Sequence, residues 1–262
     1  MNPPRHRRES GISNAIIAVV VGVSALFALG SAIVAAAKCD EPPPDAQHVY
    51  ASLGDSVAAG SGSSDPQTTS FVALVGAREH AVVFNVAKAG STTQDVIDTQ
   101  LARVLSVVQS GRVDFVTIAA GGYDLAALIP NAACTQDPLP DTCPLGEALD
   151  GVDARLTAIL EYLRDANLRV PIVLLAYPNF FSGTGHPFEA PAGRVLPQLN
   201  ARIDAIAARF EHVAVAHPYA AFEGRGDDLT HVLDPQFDPH PNDAGYRVIA
   251  DAVERALKDA RK

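Results

Sequence analysis

Ser56 closes the stretch Val49-Tyr50-Ala51-Ser52-Leu53-Gly54-Asp55-Ser56, an apolar run that ends in a Gly-Asp-Ser turn. Glycine lets a chain turn sharply at the carboxyl end of a strand, and a serine placed there faces the crevice where open parallel sheets bind ligands. Its hydroxyl is a poor nucleophile until a base removes the proton. Near the other end of the chain, Asp238-Pro239-His240-Pro241-Asn242 offers that base together with a carboxylate two residues before it. Serine, histidine and aspartate in these roles attack an electrophilic carbonyl: the imidazole takes the proton and the carboxylate fixes its tautomer. Gly-Asp-Ser alone is weak evidence, because such tripeptides also end strands that do no chemistry. Two further stretches add weight, Ala87-Lys88-Ala89-Gly90-Ser91 and Gly121-Gly122-Tyr123-Asp124-Leu125, each directly after an apolar run.

These stretches need a scaffold that brings distant segments together. Apolar, β-branched-rich runs recur at 48–53, 81–86, 113–119, 170–177 and 212–216, each bounded by glycine, proline or polar residues. Helical spacing fills the intervals. One apolar stripe comprises Val96, Ile97, Leu101, Val104, Leu105 and Val108, a second Leu156, Ile159, Leu160 and Leu163, and a third Leu199, Ile203, Ile206 and Phe210. Strands alternating with helices predict parallel pairing through crossovers, hence a three-layer α/β/α sandwich around a five-stranded parallel sheet. A last helix is expected from about Asp243 to Ala260, with Asn242 as its N-cap and Val248, Ile249, Ala252, Val253 and Leu257 on its buried side.

The chain divides into a basic head (1–14), an uncharged run (15–37), a proline-stiffened spacer (38–47) and one catalytic-size domain (48–262). As a helix the uncharged run would span roughly 35 Å, enough for a bilayer core of about 30 Å. It reads as a retained membrane anchor with the basic head cytoplasmic, or as a signal cleaved near Ala35-Ala36-Ala37. Either reading exports the domain. The net charge is −10, and because the head is basic the domain is more acidic still, which argues against a nucleic-acid partner. In an exported chain Cys134 and Cys143, bracketing a proline-rich loop, are expected to form a disulfide, with Cys39 as the odd cysteine. His80, His212 and His217 lack a repeated ligand spacing, and neither a metal nor a cofactor is expected. Tyr177-Pro178-Asn179 ends the fourth strand on the catalytic side, so Tyr177 and Asn179 are expected to line a substrate wall.

In order and setting, Gly54-Asp55-Ser56, Gly90, the Gly121–Leu125 stretch and the segment around His240 resemble the SGNH, or GDSL-type, esterase and lipase family. The resemblance runs from about His48 to the end and implies a flavodoxin-like hydrolase fold. It implies that Ser56 is the nucleophile, His240 the base and Gly90 an oxyanion donor beside the Ser56 N–H. Two positions depart from the family pattern. Tyr123 stands where the family places an asparagine whose side chain donates to the oxyanion. Phe237 stands where the family places its acid, three residues before the histidine, leaving Asp238 as the acid and Asp234 as second choice. A carboxylate at i−2 shares a face with the histidine in an extended segment. The expectation is therefore an extracytoplasmic, monomeric serine hydrolase of carboxylic esters, lipid or acylated glycan. The alternative is a degenerate member that binds a cell-envelope ligand with little or no catalysis.

Overall fold

In the expected sheet, the central strands must be apolar throughout, because helices cover both of their faces. Val49–Gly54 (β1) and Ile172–Leu175 (β4) are buried at every residue, and Val113–Ala119 (β3) at all but Asp114. Val82–Asn85 (β2) and Val213–Ala216 (β5) form the less buried edges. The computed structural model describes residues 41–262. The basic head, the uncharged run and Cys39 lie outside the described residues. The last of the spacer lies against the domain: Pro42 is buried, and the Pro43 carbonyl accepts a hydrogen bond from Arg112 at 2.7 Å. Among the described residues no helix is long and apolar enough to cross a membrane.

The five strands pair in parallel in the order β2-β1-β3-β4-β5. The chain thus leaves β1 toward one edge, returns as β3 on the other side of β1, and then winds outward to β5. That reversal opens a crevice at the carboxyl ends of β1 and β3. On one face lie α2 (Phe71–Arg78) and α6 (Asp243–Ala260), in contact with each other. The other face carries α3 (Ala102–Gln109), α4 (Leu145–Ala166) and α5 (Glu189–Ala207). The one-turn helix α1 (Ser56–Ala59) follows β1 directly. The sheet core is anchored at the β1/β3 pair, where Tyr50 stacks on Phe115 at 4.3 Å between centroids. Beside that stack the Tyr50 hydroxyl meets Thr117 Oγ1 at 2.7 Å, and Thr117 donates to Ser52 at 3.1 Å, so each buried hydroxyl has a partner.

Two features depart from the expected pattern. The stripe starting at Val96 is a π-helical turn, Val96–Leu101, before it becomes α-helical in α3. A two-stranded antiparallel hairpin, Thr230–His231 (β6) with Asp238–Pro241 (β7), stands outside the main sheet and leads into α6. Asn242 caps α6 as expected, accepting from the Ala244 and Gly245 N–H groups.

Cys134 and Cys143 are joined, nine residues apart in sequence, and tie down the irregular segment before α4. In the chain-entropy picture a loop this short stabilises the fold by about 2–3 kcal/mol. Replacing both cysteines with alanine should therefore lower Tm by roughly 5–10 °C, read by calorimetry. An unchanged Tm would mean that the segment's other contacts, such as Arg194 to the Thr135 carbonyl at 2.5 Å, hold it unaided.

Candidate active site

Ser56 is placed by a backbone that has little room to move. Gly54 has φ +140°, and a Cβ on it would lie 2.0 Å from the Ala119 carbonyl oxygen, so only glycine permits β1 to approach β3 this closely. The Asp55 N–H donates to that same carbonyl at 2.8 Å and turns the chain out of the sheet. Asp55 then caps α1 by accepting the Val57 N–H at 3.0 Å, and Ser56 is the first helical residue. Gln100, 2% exposed in the π-helical turn, completes the pairing of Gly54 as a neighbouring strand would. It accepts from the Gly54 N–H at 2.8 Å and donates to the Gly54 carbonyl at 2.9 Å. The same amide donates to Ser91 Oγ at 3.1 Å, linking the serine turn to the Gly90 loop.

Two loops flank this turn. Gly90 has φ +78°, and the tip of Tyr123 rests against it: a Cβ on Gly90 would lie 3.7 Å from Tyr123 Cζ and 3.8 Å from its hydroxyl. The glycine and the tyrosine expected to border one oxyanion position are thus side by side. Asp124, the next residue, is buried at its side chain and accepts from the Thr93 N–H at 2.8 Å and hydroxyl at 2.6 Å. Arg155 on α4 closes the cluster through Thr93 Oγ1 at 2.6 Å and Asp124 at 3.1 Å. The loop after β2 and the loop after β3 are therefore pinned to each other a few residues from Gly90 and Tyr123.

His240 enters from the β6/β7 hairpin. In its register Thr230 pairs with Pro241 and His231 with Asp238, so Pro239 and His240 are extra residues without partners. Such a bulge re-aims a side chain, and bulges concentrate beside active sites. Here the Asp238 carboxylate accepts from His240 Nδ1, and also from the His240 backbone N–H at 3.1 Å. Burial alone would raise the Asp238 pKa, but the hydrogen bonds and charge of His240 outweigh it and hold the carboxyl below its ordinary range. Nδ1 is thus committed, which leaves Nε2 for a substrate-side proton, and the hairpin packs against α1, which begins at Ser56. Asp234, the second choice for the acid, pairs instead with His231 at 2.6 Å. Phe237, at the position three before the histidine, stacks on His186 at 5.1 Å.

Tyr177 and Asn179, expected to line a substrate wall, are both buried in the described residues. Tyr177 is 3% exposed: its hydroxyl donates to Asp55 at 2.6 Å and its ring packs on Gly122, where a Cβ would lie 2.4 Å from Cε1, joining the serine turn to the third motif. Asn179 is 6% exposed and fixes its own loop, donating to the Glu189 carbonyl at 2.9 Å and accepting from the Phe181 N–H at 3.1 Å. Gln100, Thr93 and Arg155 escaped the sequence reading. Gln100 had a usable signal: it lies four residues from both Val96 and Val104, a polar side chain on an apolar stripe.

Asp55 is the charged group most at odds with its surroundings. Burial pushes its pKa up to about 6, against the opposing pull of the Tyr177 hydroxyl, the Val57 N–H and the nearby His240. A carboxyl raised in the folded state favours folding in acid, and that contribution disappears as pH climbs from about 4 through 6. Asp55→Asn should remove it. On going from pH 4 to pH 7, wild type should lose about 2 kcal/mol relative to the variant in denaturant titrations. A stability gap that does not vary with pH would show that Asp55 is not titrating in this window.

The matched region of the GDSL-like lipase/acylhydrolase family spans residues 52–248, from the serine turn into the last helix. No curated protein matches the chain in sequence. Among solved structures it is similar to an extracellular lipase from Streptomyces rimosus, with 22% identity, TM-score 0.61, and 80% of this chain and 99% of that one covered. It is similar also to phospholipase A1 from Streptomyces albidoflavus NA297, with 21% identity, TM-score 0.60, and 79% and 98% covered. A lipase from a goat rumen metagenome matches at 19% identity and TM-score 0.60, with 79% and 96% covered. At these identities the structural likeness speaks for the fold, and the family match speaks for the motifs that the fold positions: the chain belongs to the GDSL-like lipase/acylhydrolase family.

Proposed function

We propose that the chain is an exported serine esterase that cleaves carboxylic esters through an acyl-enzyme on Ser56. The observation that carries this reading is the Asp238 carboxylate on His240 Nδ1, in a hairpin packed against the helix that Ser56 begins. His240 Nε2 takes the Ser56 proton as Oγ bonds to the carbonyl carbon, and the carbonyl oxygen becomes an oxyanion. The Ser56 and Gly90 N–H groups stabilise that charge. The ester C–O bond then breaks, His240 returns the proton to the leaving alcohol, and a water activated by the same imidazole releases the acid and restores Ser56. Asp238 holds the imidazolium in both half-reactions. A protein that only bound an envelope ligand would have no use for a half-buried carboxylate committed to this histidine. The disulfide supports an oxidising, extracytoplasmic location.

A fluorophosphonate should label Ser56, and Ser56→Ala should abolish hydrolysis of p-nitrophenyl acetate. Full turnover in that variant would refute the assignment. His240→Ala should lose nearly as much, since residues that act as one unit fail together.

Tyr123 is the departure that sets the rate. With its ring tip against Gly90, the hydroxyl can serve as the side-chain donor to the oxyanion. Tyr123→Phe should then reduce kcat by about 10–10³-fold with KM little changed, and Tyr123→Asn should keep or raise kcat. If Tyr123→Phe is silent while Tyr123→Ala changes acyl-chain preference, the ring is a wall of the acyl site instead.

A further inference from the structure

His231 has both ring nitrogens committed to groups that can only accept. Nδ1 faces Asp234 at 2.6 Å and Nε2 faces the Gly62 carbonyl at 2.8 Å. A neutral imidazole carries one N–H and can satisfy one of them; the doubly protonated cation satisfies both. Gly62 lies near the start of the loop that leaves α1, immediately after the helix that Ser56 begins, and it abuts His240. A Cβ on Gly62 would lie 2.8 Å from His240 Cβ and 2.7 Å from the Pro241 carbonyl oxygen. This loop thus connects the helix of Ser56 with the backbone of His240, and His231 holds it at Gly62.

Two other ties secure this loop from α6. The Tyr246 hydroxyl donates to the Ser61 carbonyl at 2.6 Å, and Asp243 accepts from the Ser64 N–H and hydroxyl at 2.8 and 2.7 Å. Neither changes protonation near neutral pH. Burial holds the Tyr246 hydroxyl well above its ordinary range. For Asp243, burial works upward, but the hydrogen bonds from Ser64 and Thr69 outweigh it and hold the carboxyl below its ordinary range. His231 is the tie that titrates. The ionisable groups around it are Asp234 on its own turn, Asp238 across the hairpin and His240 beyond Gly62. Burial would lower the pKa of His231, but the bonds to Asp234 and Gly62 and the two carboxylate charges outweigh it and raise it.

We propose that protonated His231 is a positioning residue, a cationic clamp that sets the separation between Ser56 and His240, so that turnover falls when the clamp loses its proton. Deprotonation leaves the remaining N–H on the carboxylate side, and the bare Nε2 lone pair then opposes the Gly62 carbonyl at hydrogen-bond distance. The loop moves away, and the base loses its backing. The sign follows from the raised pKa: the clamp is intact below the ordinary histidine value of about 6.5 and is lost as pH rises through the higher folded value. Misplacing a catalytic group by about 1 Å can slow a reaction about 10²-fold.

The inference rests on the serine esterase reading, and the test separates the two. The purified full chain is assayed on p-nitrophenyl acetate from pH 5 to 10, with Ser56 labelling by a fluorophosphonate in parallel. Wild type should show a fall in kcat on the alkaline side, above the ordinary histidine value of about 6.5, with KM steady. Asp234→Asn, which keeps the shape of the partner and removes its charge, should move that fall to lower pH by about one unit. His231→Gln should reduce kcat at pH 7 by about 10–100-fold and abolish the alkaline fall while Ser56 remains labelled. A wild-type profile that stays flat to pH 10 overturns the clamp, as does an alkaline fall that neither substitution moves. Ester turnover that persists in Ser56→Ala overturns the esterase reading, and the clamp with it.

Discussion

The close approach of β1 to β3 at Gly54 is the constraint on which the site depends. A bare glycine pressed on the Ala119 carbonyl leaves the chain one exit, and the Asp55 N–H bonded to that carbonyl directs it toward the crevice. Any side chain at Gly54 would collide with backbone, which cannot rotate away as a side-chain tip can. The serine's position is therefore inherited from the sheet rather than from the loop that follows it. This suits a nucleophile, because groups built on rigid elements keep catalytic geometry better than groups on loops.

What the sheet does not fix, buried polar side chains do. Gln100 bonds both backbone polar groups of Gly54 and reaches Ser91. Tyr177 bonds to Asp55 and packs on Gly122, and Asp124 joins Thr93 to Arg155. Each bridges two of the loops after β1, β2 and β3, so the donors expected around the oxyanion are registered to one another through hydrogen bonds in a low-dielectric interior. Asp55 illustrates the cost: a carboxylate removed from water is tolerated because the position next to Ser56 needs a strong acceptor for the Val57 N–H and the Tyr177 hydroxyl.

The strands and the last helix were legible because burial on both faces imposes apolar runs and because Asn242 and the glycine turns carry local signals. The five observed strands fall within the five expected runs to within a residue or two, and α6 matches the expected span. That Asp238 lies within reach of the His240 ring was legible too, but the bulge and the bond from the His240 backbone N–H that hold it there were not. The less legible features depend on contacts between segments far apart. Nothing near Tyr177 in sequence indicates that its hydroxyl meets a carboxylate 122 residues away. His231 is likewise an ordinary loop histidine until the fold brings the Gly62 carbonyl, 169 residues distant, to its second nitrogen. The π-helical turn was hidden because its apolar spacing differs little from that of an α-helix over six residues.

The bulged hairpin has an implication for how the enzyme would fail. Asp238, His240 and His231 all sit on one short antiparallel element, outside the main sheet and joined to it through α6 and the loop after α1. Proteins open in cooperative sub-units whose stabilities differ, and a two-stranded ribbon lies toward the weak end. A single local opening event would therefore disperse Asp238, His240 and His231 together while the five-stranded sheet stayed intact. Inactivation would then be a switch-like, reversible step that precedes unfolding, and the fraction of active molecules would report the closed population of one hairpin rather than the stability of the whole fold.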